Sequence, residues 1–262
     1  MSITIFKVLT DTIKILADSK YSNKFVLKGG TALATKLIEG NLPQLTRQTK
    51  DIDIHCSDKS YWIFFSEHVE DILNDNALGY RYKLLKQRGL EKTGFSDSIV
   101  LEVSSPTFTK TIGLDMNLKD TELPTIFIPS LGINAYDNYT MLSDKLSVIF
   151  SKKIFRRVKD MYDIYALAQL SNYSMYKLLC VVKNKFPNYH EFELMLKIEN
   201  YAELEHAFTK FSGLQMDFDF KSLYTVCCKF SIPVLTCLNA DNYGGEFKWS
   251  KTLQQWGSYP LR

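Results

Sequence analysis

At 262 residues, with 45% hydrophobic and 23% charged side chains, the chain has the make-up of an ordinary globular protein of one large domain or two, which excludes a disordered or fibrous polypeptide. No run of about eighteen apolar residues offers a membrane span. The start Met1-Ser2-Ile3-Thr4 lacks the apolar core and small-residue cleavage site of a secretion signal, so a cytoplasmic protein without membrane contact is expected. In chain order, apolar residues at Ile5, Phe6, Leu9, Ile13 and Leu16 recur at helical spacing and predict a first amphipathic helix over 3–17. Lys24 to Lys28 reads as a short strand stopped by Gly29-Gly30. Thr31 then caps a helix over Ala32 to Ile38, ended by Gly40-Asn41-Leu42-Pro43.

The next strand, Asp51 to Cys56, alternates acidic and apolar residues, and a helical stretch runs from Tyr61 to about Asn74. Beyond Gly79, β-like runs over 80–86, 98–104 and 111–117, separated by turn residues, predict an antiparallel meander. Pro124 and Pro129 bracket Thr125 to Ile128 as a short edge strand. From about Thr140 the pattern turns helical, with helices readable over 141–170, 174–186, 190–212 and 218–230, while 239–262 has no readable role. The expectation is an α+β fold: an α/β domain over 1–138 with a mixed or antiparallel sheet and flanking helices, then a helical bundle over 139–262.

Charge divides unevenly between these halves. Residues 1–140 hold 16 Lys+Arg against 17 Asp+Glu, and residues 141–262 hold 16 against 12, or −1 and +4. The excess concentrates in Lys152, Lys153, Arg156, Arg157 and Lys159, a run able to meet a polyanion or to form a solvated helix face. Cys56, Cys180, Cys227, Cys228 and Cys237 lack C-x-x-C spacing, which argues against both a disulfide framework and a zinc site.

Chemistry concentrates in two short stretches. Gly29-Gly30, between a strand and a helix, lets backbone N–H groups approach a phosphate at a helix N-terminus. Some twenty residues on, Asp51 and Asp53 share one strand face because side chains alternate, while Ile52 and Ile54 enter a core. Two carboxylates on one face suit Mg²⁺, a hard cation that takes oxygen ligands together with substrate phosphates. A third is expected from a neighbouring strand. Asp115 is the candidate, since its apolar neighbours make a charge costly unless it meets a cation, and Glu102 is the reserve. Glycine turn, helix, basic loop with Arg47 and D-x-D strand follow the order of a two-metal phosphoryl-transfer site.

The motifs Leu27-Lys28-Gly29-Gly30-Thr31-Ala32-Leu33, Arg47-x-Thr49-x-Asp51-Ile52-Asp53-Ile54, Asp144-Lys145-Leu146 and Arg157-x-Lys159-Asp160-x-x-Asp163 together resemble the AbiEii/AbiGii toxin family of nucleotidyltransferases. They span residues 27–163. The resemblance implies a core like that of DNA polymerase β and membership of a toxin–antitoxin or phage-defence pair. It further implies the MenT-like chemistry of adding nucleotides to the 3′ end of tRNA. On that footing Gly29, Gly30, Thr31, Arg47 and Lys145 bind the nucleoside triphosphate, and Asp51, Asp53 and Asp115 hold Mg²⁺ or Mn²⁺. Lys145 neutralises the phosphates. Asp160 orients either Lys145 or an acceptor hydroxyl. The alternatives are a small-molecule or protein hydroxyl as acceptor, or a non-catalytic nucleotide-binding module. One geometric expectation follows: along a straight helix Lys145 and Asp160 would stand about 22 Å apart, so the chain must turn back between them, at about 151–157.

Overall fold

The computed structural model describes residues 4–89, 94–118, 123–150, 157–194, 196–211, 214, 218–241 and 246–258. The chain divides into two units: Met1–Lys36 with Gln48–Tyr136, and Leu37–Arg47 with Asp137–Arg262.

The first unit begins with α1 (Ile5–Asp18), capped by the Thr4 side chain, which accepts from the Lys7 amide at 3.2 Å. Then come β1 (Phe25–Lys28), α2 (Gly29–Glu39), β2 (Asp51–Cys56), α3 (Lys59–Glu67), α4 (Val69–Asn74), β3 (Arg81–Gln87), β4 (Ser96–Ser105), β5 (Phe108–Leu118), β6 (Thr125–Ile128) and β7 (Ile133–Tyr136). The strands form one sheet in the order β3-β4-β5-β2-β1-β7-β6. Pairing is antiparallel except at β2–β5 and β1–β7, which are parallel. β6 lies at the edge, where flanking prolines cost no ladder bonds.

Alternation divides the sheet's two faces. Ile52, Ile54, Ile99, Leu101, Val103, Ile112, Leu114 and Met116 are all buried, each worth about 1.5–3 kcal/mol of apolar transfer. On α3, Trp62 and Phe65 pack edge-to-face against Phe25. The Trp62 indole N–H donates to the buried Asp97 at 2.8 Å. Asp97 also accepts from the Gly89 and Ser98 amides and from Gln87, so its buried charge is fully engaged.

In the second unit, α5 (Asn138–Ile149), α6 (Val158–Leu170), α7 (Met175–Lys185), α8 (Tyr201–Thr209) and α9 (Phe220–Asn239) accompany β8 (Tyr173–Ser174), β9 (Phe247–Ser250) and β10 (Gln255–Ser258), which pair as β10-β9-β8. Asp137, Ser174 and Asp219 cap α5, α7 and α9 through their side chains. The fold is α+β, a mixed sheet with flanking helices followed by a mainly helical region.

Several elements differ from the sequence reading. α2 starts at Gly29, so Thr31 lies within its first turn and is not its cap. The stretch 61–74 is two helices meeting at His68. Among its described residues the span 190–212 holds α8 and short 3-10 turns, and α9 runs on to Asn239. The C-terminal stretch supplies β9 and β10, whose tryptophans clamp the helices: Trp249 is fully buried and donates to Ala168 O on α6, and Trp256 donates to Phe230 O on α9. Lys152, Lys153 and Arg156 lie outside the described residues. No helix among the described residues is long and apolar enough to cross a membrane.

Candidate active site

In the first unit the register of β2 against β5 pairs Asp51 with Gly113 and Asp53 with Asp115. Directly paired residues of neighbouring strands project to the same side, so the three carboxylates share one face, opposite the buried Ile52 and Ile54. The antiparallel pairing of β1 adds Lys28 across from Asp53 on that same face. Glu102 pairs with Thr111, four residues along β5 from Asp115, which leaves Asp115 as the carboxylate in register with Asp53.

Two glycines shape this face. A Cβ at Gly29 would fall 1.9 Å from Asp53 Oδ2, and one at Gly113 would fall 2.4 Å from Asp51 Oδ1. Each carboxylate therefore fills the space of a missing side chain. Gly29 also has a φ of 69°, which an L side chain adopts only under strain.

Thr31 is fully buried, and its hydroxyl donates to the Asp51 carbonyl at 2.8 Å. With its single proton committed there, it ties the start of α2 to the start of β2 instead of donating to a phosphate.

Among the described residues no three Asp, Glu, His or Cys side chains are gathered into a metal cluster. What the register supplies is a shared face of hard oxygen donors over two glycine slots, a donor chemistry that fits Mg²⁺. His55, on the same face of β2, is buried with its Nδ1 2.6 Å from the Tyr136 hydroxyl.

The second unit holds the other residues singled out in the sequence. Asp160 and Asp163, three apart on one face of α6, are both fully buried. Lys145 Nζ on α5 reaches Asp160 Oδ1 at 2.8 Å and Asp163 Oδ2 at 2.7 Å. Arg47 grips Asp163 through Nε at 2.6 Å and Nη2 at 2.8 Å, a two-pronged contact, and Arg157 Nε holds Asp160 Oδ2 at 2.5 Å. Lys145 on α5 and Asp160 on α6 therefore meet directly, as a chain that reverses between them requires.

Burial by itself would raise both carboxyls, but Lys145 with Arg47 holds Asp163 well below the usual range, and Lys145 with Arg157 lowers Asp160. Burial opposes the charge on Lys145 too; Asp163 and Asp160 outweigh it and hold the amine above the ordinary lysine value. Arg47 and Lys145, expected at the nucleotide, thus both spend charge on Asp163, a residue whose role the sequence reading left unassigned. The signal was present: an acid amid Met161, Tyr162 and Ile164 on an apolar helix must find a cation.

The family model of the AbiEii toxin nucleotidyl transferases, of the type IV toxin–antitoxin system, matches residues 13–223. The chain belongs to that family. This AbiEii-family protein is a nucleotidyltransferase. No curated protein matches it. Among solved structures it is similar to JHP933 from Helicobacter pylori, at 16% identity over 90% of this chain and 91% of that one, with a TM-score of 0.54. A candidate nucleotidyltransferase from H. pylori matches at the same identity and TM-score, over 90% of this chain and 94% of its own. At that identity these two share its fold alone.

Proposed function

We propose that this AbiEii-family enzyme transfers a nucleoside monophosphate from a nucleoside triphosphate to a hydroxyl of RNA, the 3′ end of tRNA, in a Mg²⁺-dependent reaction that halts growth. The observation that carries the proposal is the register of Asp53 with Asp115, which sets three carboxylates on one sheet face beside the Gly29-Gly30 turn. The acceptor oxygen attacks the α-phosphorus and gives up its proton to solvent; its new P–O bond forms as the bond from the α-phosphorus to the α,β-bridging oxygen breaks, and pyrophosphate leaves. Asp51, Asp53 and Asp115 would hold the metal, which when bound supplies positive charge and lowers the pKa of the attacking hydroxyl. Gly29 and Gly30 bring backbone N–H groups to the triphosphate. Thr31 fixes the backbone of Asp51 through its hydroxyl.

The +4 balance of residues 141–262 supports a polyanionic acceptor. The family's toxin–antitoxin description supports growth inhibition and a cognate antitoxin. The test is incubation of purified protein with each of four α-labelled nucleoside triphosphates and total tRNA, with and without Mg²⁺. Label is expected in the RNA and only with the metal. Label on protein bands or on an added small molecule, with none on RNA, would overturn the acceptor; absence of pyrophosphate release would overturn catalysis.

A further inference from the structure

Gly113 has no place in the motifs that point to nucleotidyl transfer, yet it lies in the middle of β5, a central strand, paired with Asp51 on one side and Val100 on the other. A glycine inside a strand weakens it, having no side chain to pack and the most backbone freedom to lose, and often marks a close approach of another group. The approaching group is the Asp51 carboxylate. The three atoms nearest a Cβ at Gly113 all belong to Asp51: Oδ1 at 2.4 Å, Cγ at 3.3 Å and Cβ at 3.6 Å.

Position 113 differs in kind from position 29. Gly29 has the positive φ that disfavours any side chain, so replacing it would disturb backbone and carboxylate together. Gly113 sits in ordinary strand register, where alanine is conformationally allowed. The nearest atom that a methyl there meets is the end of a movable side chain, Asp51 Oδ1. It can therefore be accommodated by rotating Asp51, at little cost to the sheet and at direct cost to the direction in which that carboxylate points.

We propose that Gly113 is a positioning residue, whose absent side chain gives the Asp51 carboxylate its orientation and so sets the divalent-cation affinity of the Asp51–Asp53–Asp115 face. The proposal rests on the metal role given to those carboxylates above. Loss of supporting contacts around metal ligands typically weakens metal binding or activity by about 10- to 100-fold.

The test is calorimetric titration of the full chain with Mn²⁺, for wild type, Gly113→Ala and Asp51→Asn, beside metal-free thermal melts. Gly113→Ala is expected to bind Mn²⁺ about 10- to 100-fold more weakly, with a melting midpoint at or above that of wild type because alanine suits a strand better than glycine. Equal Mn²⁺ affinity in wild type and Gly113→Ala, with Asp51→Asn impaired, would overturn the positioning role and leave the metal site standing. Wild type that binds no Mn²⁺ would overturn both. A collapsed Gly113→Ala melt would also overturn the proposal, since it would give the glycine a packing duty of its own.

Discussion

Asp53→Ala is expected to reduce nucleotide transfer by at least about 10²- to 10³-fold while the protein keeps its fold, because a carboxylate proposed to hold the metal acts through the positive charge that the ion brings to the transition state. The fold should survive for a local reason. Asp53 lies on the polar face of the sheet, in register with Asp115, and like charges directly opposite one another destabilise a strand pair. Removing one relieves that repulsion. Asp115→Asn should behave alike: transfer falls by a similar factor, and the melting midpoint does not drop. Labelling assays run beside thermal melts decide the matter. Full labelling by Asp53→Ala would remove this face from catalysis, whereas joint loss of labelling and of folded structure would make Asp53 a structural residue.

Lys145→Met is expected to act on stability, by about 3–5 kcal/mol, the usual cost of removing one partner from a buried ion network. At about 2–4 °C per kcal/mol for a chain of this size, the midpoint should fall by about 6–20 °C. The side chain is only 13% exposed, and it is shared by two fully buried carboxylates, so the loss is not screened by solvent. Its pH dependence has a definite sign. Asp160 and Asp163 are held below their ordinary values, so the stability they confer is present above their unfolded pKa of about 3.9 and is lost as pH falls through their folded values. Lys145 is held above its ordinary value, so its contribution is complete below about pH 10.4 and fades as pH rises further. Urea midpoints of wild type and Lys145→Met should therefore keep a constant gap between about pH 6 and 9 and converge below about pH 4. A gap that widens in acid would contradict the network.

Much of the first unit was legible because its signals are local. The aspartate strand has the bounds its alternation implies, Asp51 to Cys56, and the β3–β4–β5 meander follows from runs of β-branched and aromatic residues between turn residues. The four residues of β7 are too few to show a period, so no strand was read there. Thr31 was misread as a helix cap because its partner, the Asp51 carbonyl, lies twenty residues away, and a capping pattern cannot register so distant an acceptor. For Asp163 the apolar helix signals the need for a cation but not its source, which is Arg47 and Lys145 on other segments. Trp249 and Trp256 were unreadable for a related reason. Their partners are main-chain carbonyls on α6 and α9, which leave no mark in side-chain periodicity. Gly113 drew no notice because a single glycine acquires meaning only from the residue beside it on the neighbouring strand.

Whether catalysis is seated on the sheet face bearing Asp51, Asp53 and Asp115 is decided most directly by a crystal structure grown with Mn²⁺ and a non-hydrolysable nucleoside triphosphate. Metal density is expected within about 2.0–2.3 Å of oxygens of these carboxylates, with the triphosphate running toward Gly29 and Gly30. Metal and triphosphate bound together at any other group of residues, with these three carboxylates free of both, would contradict it.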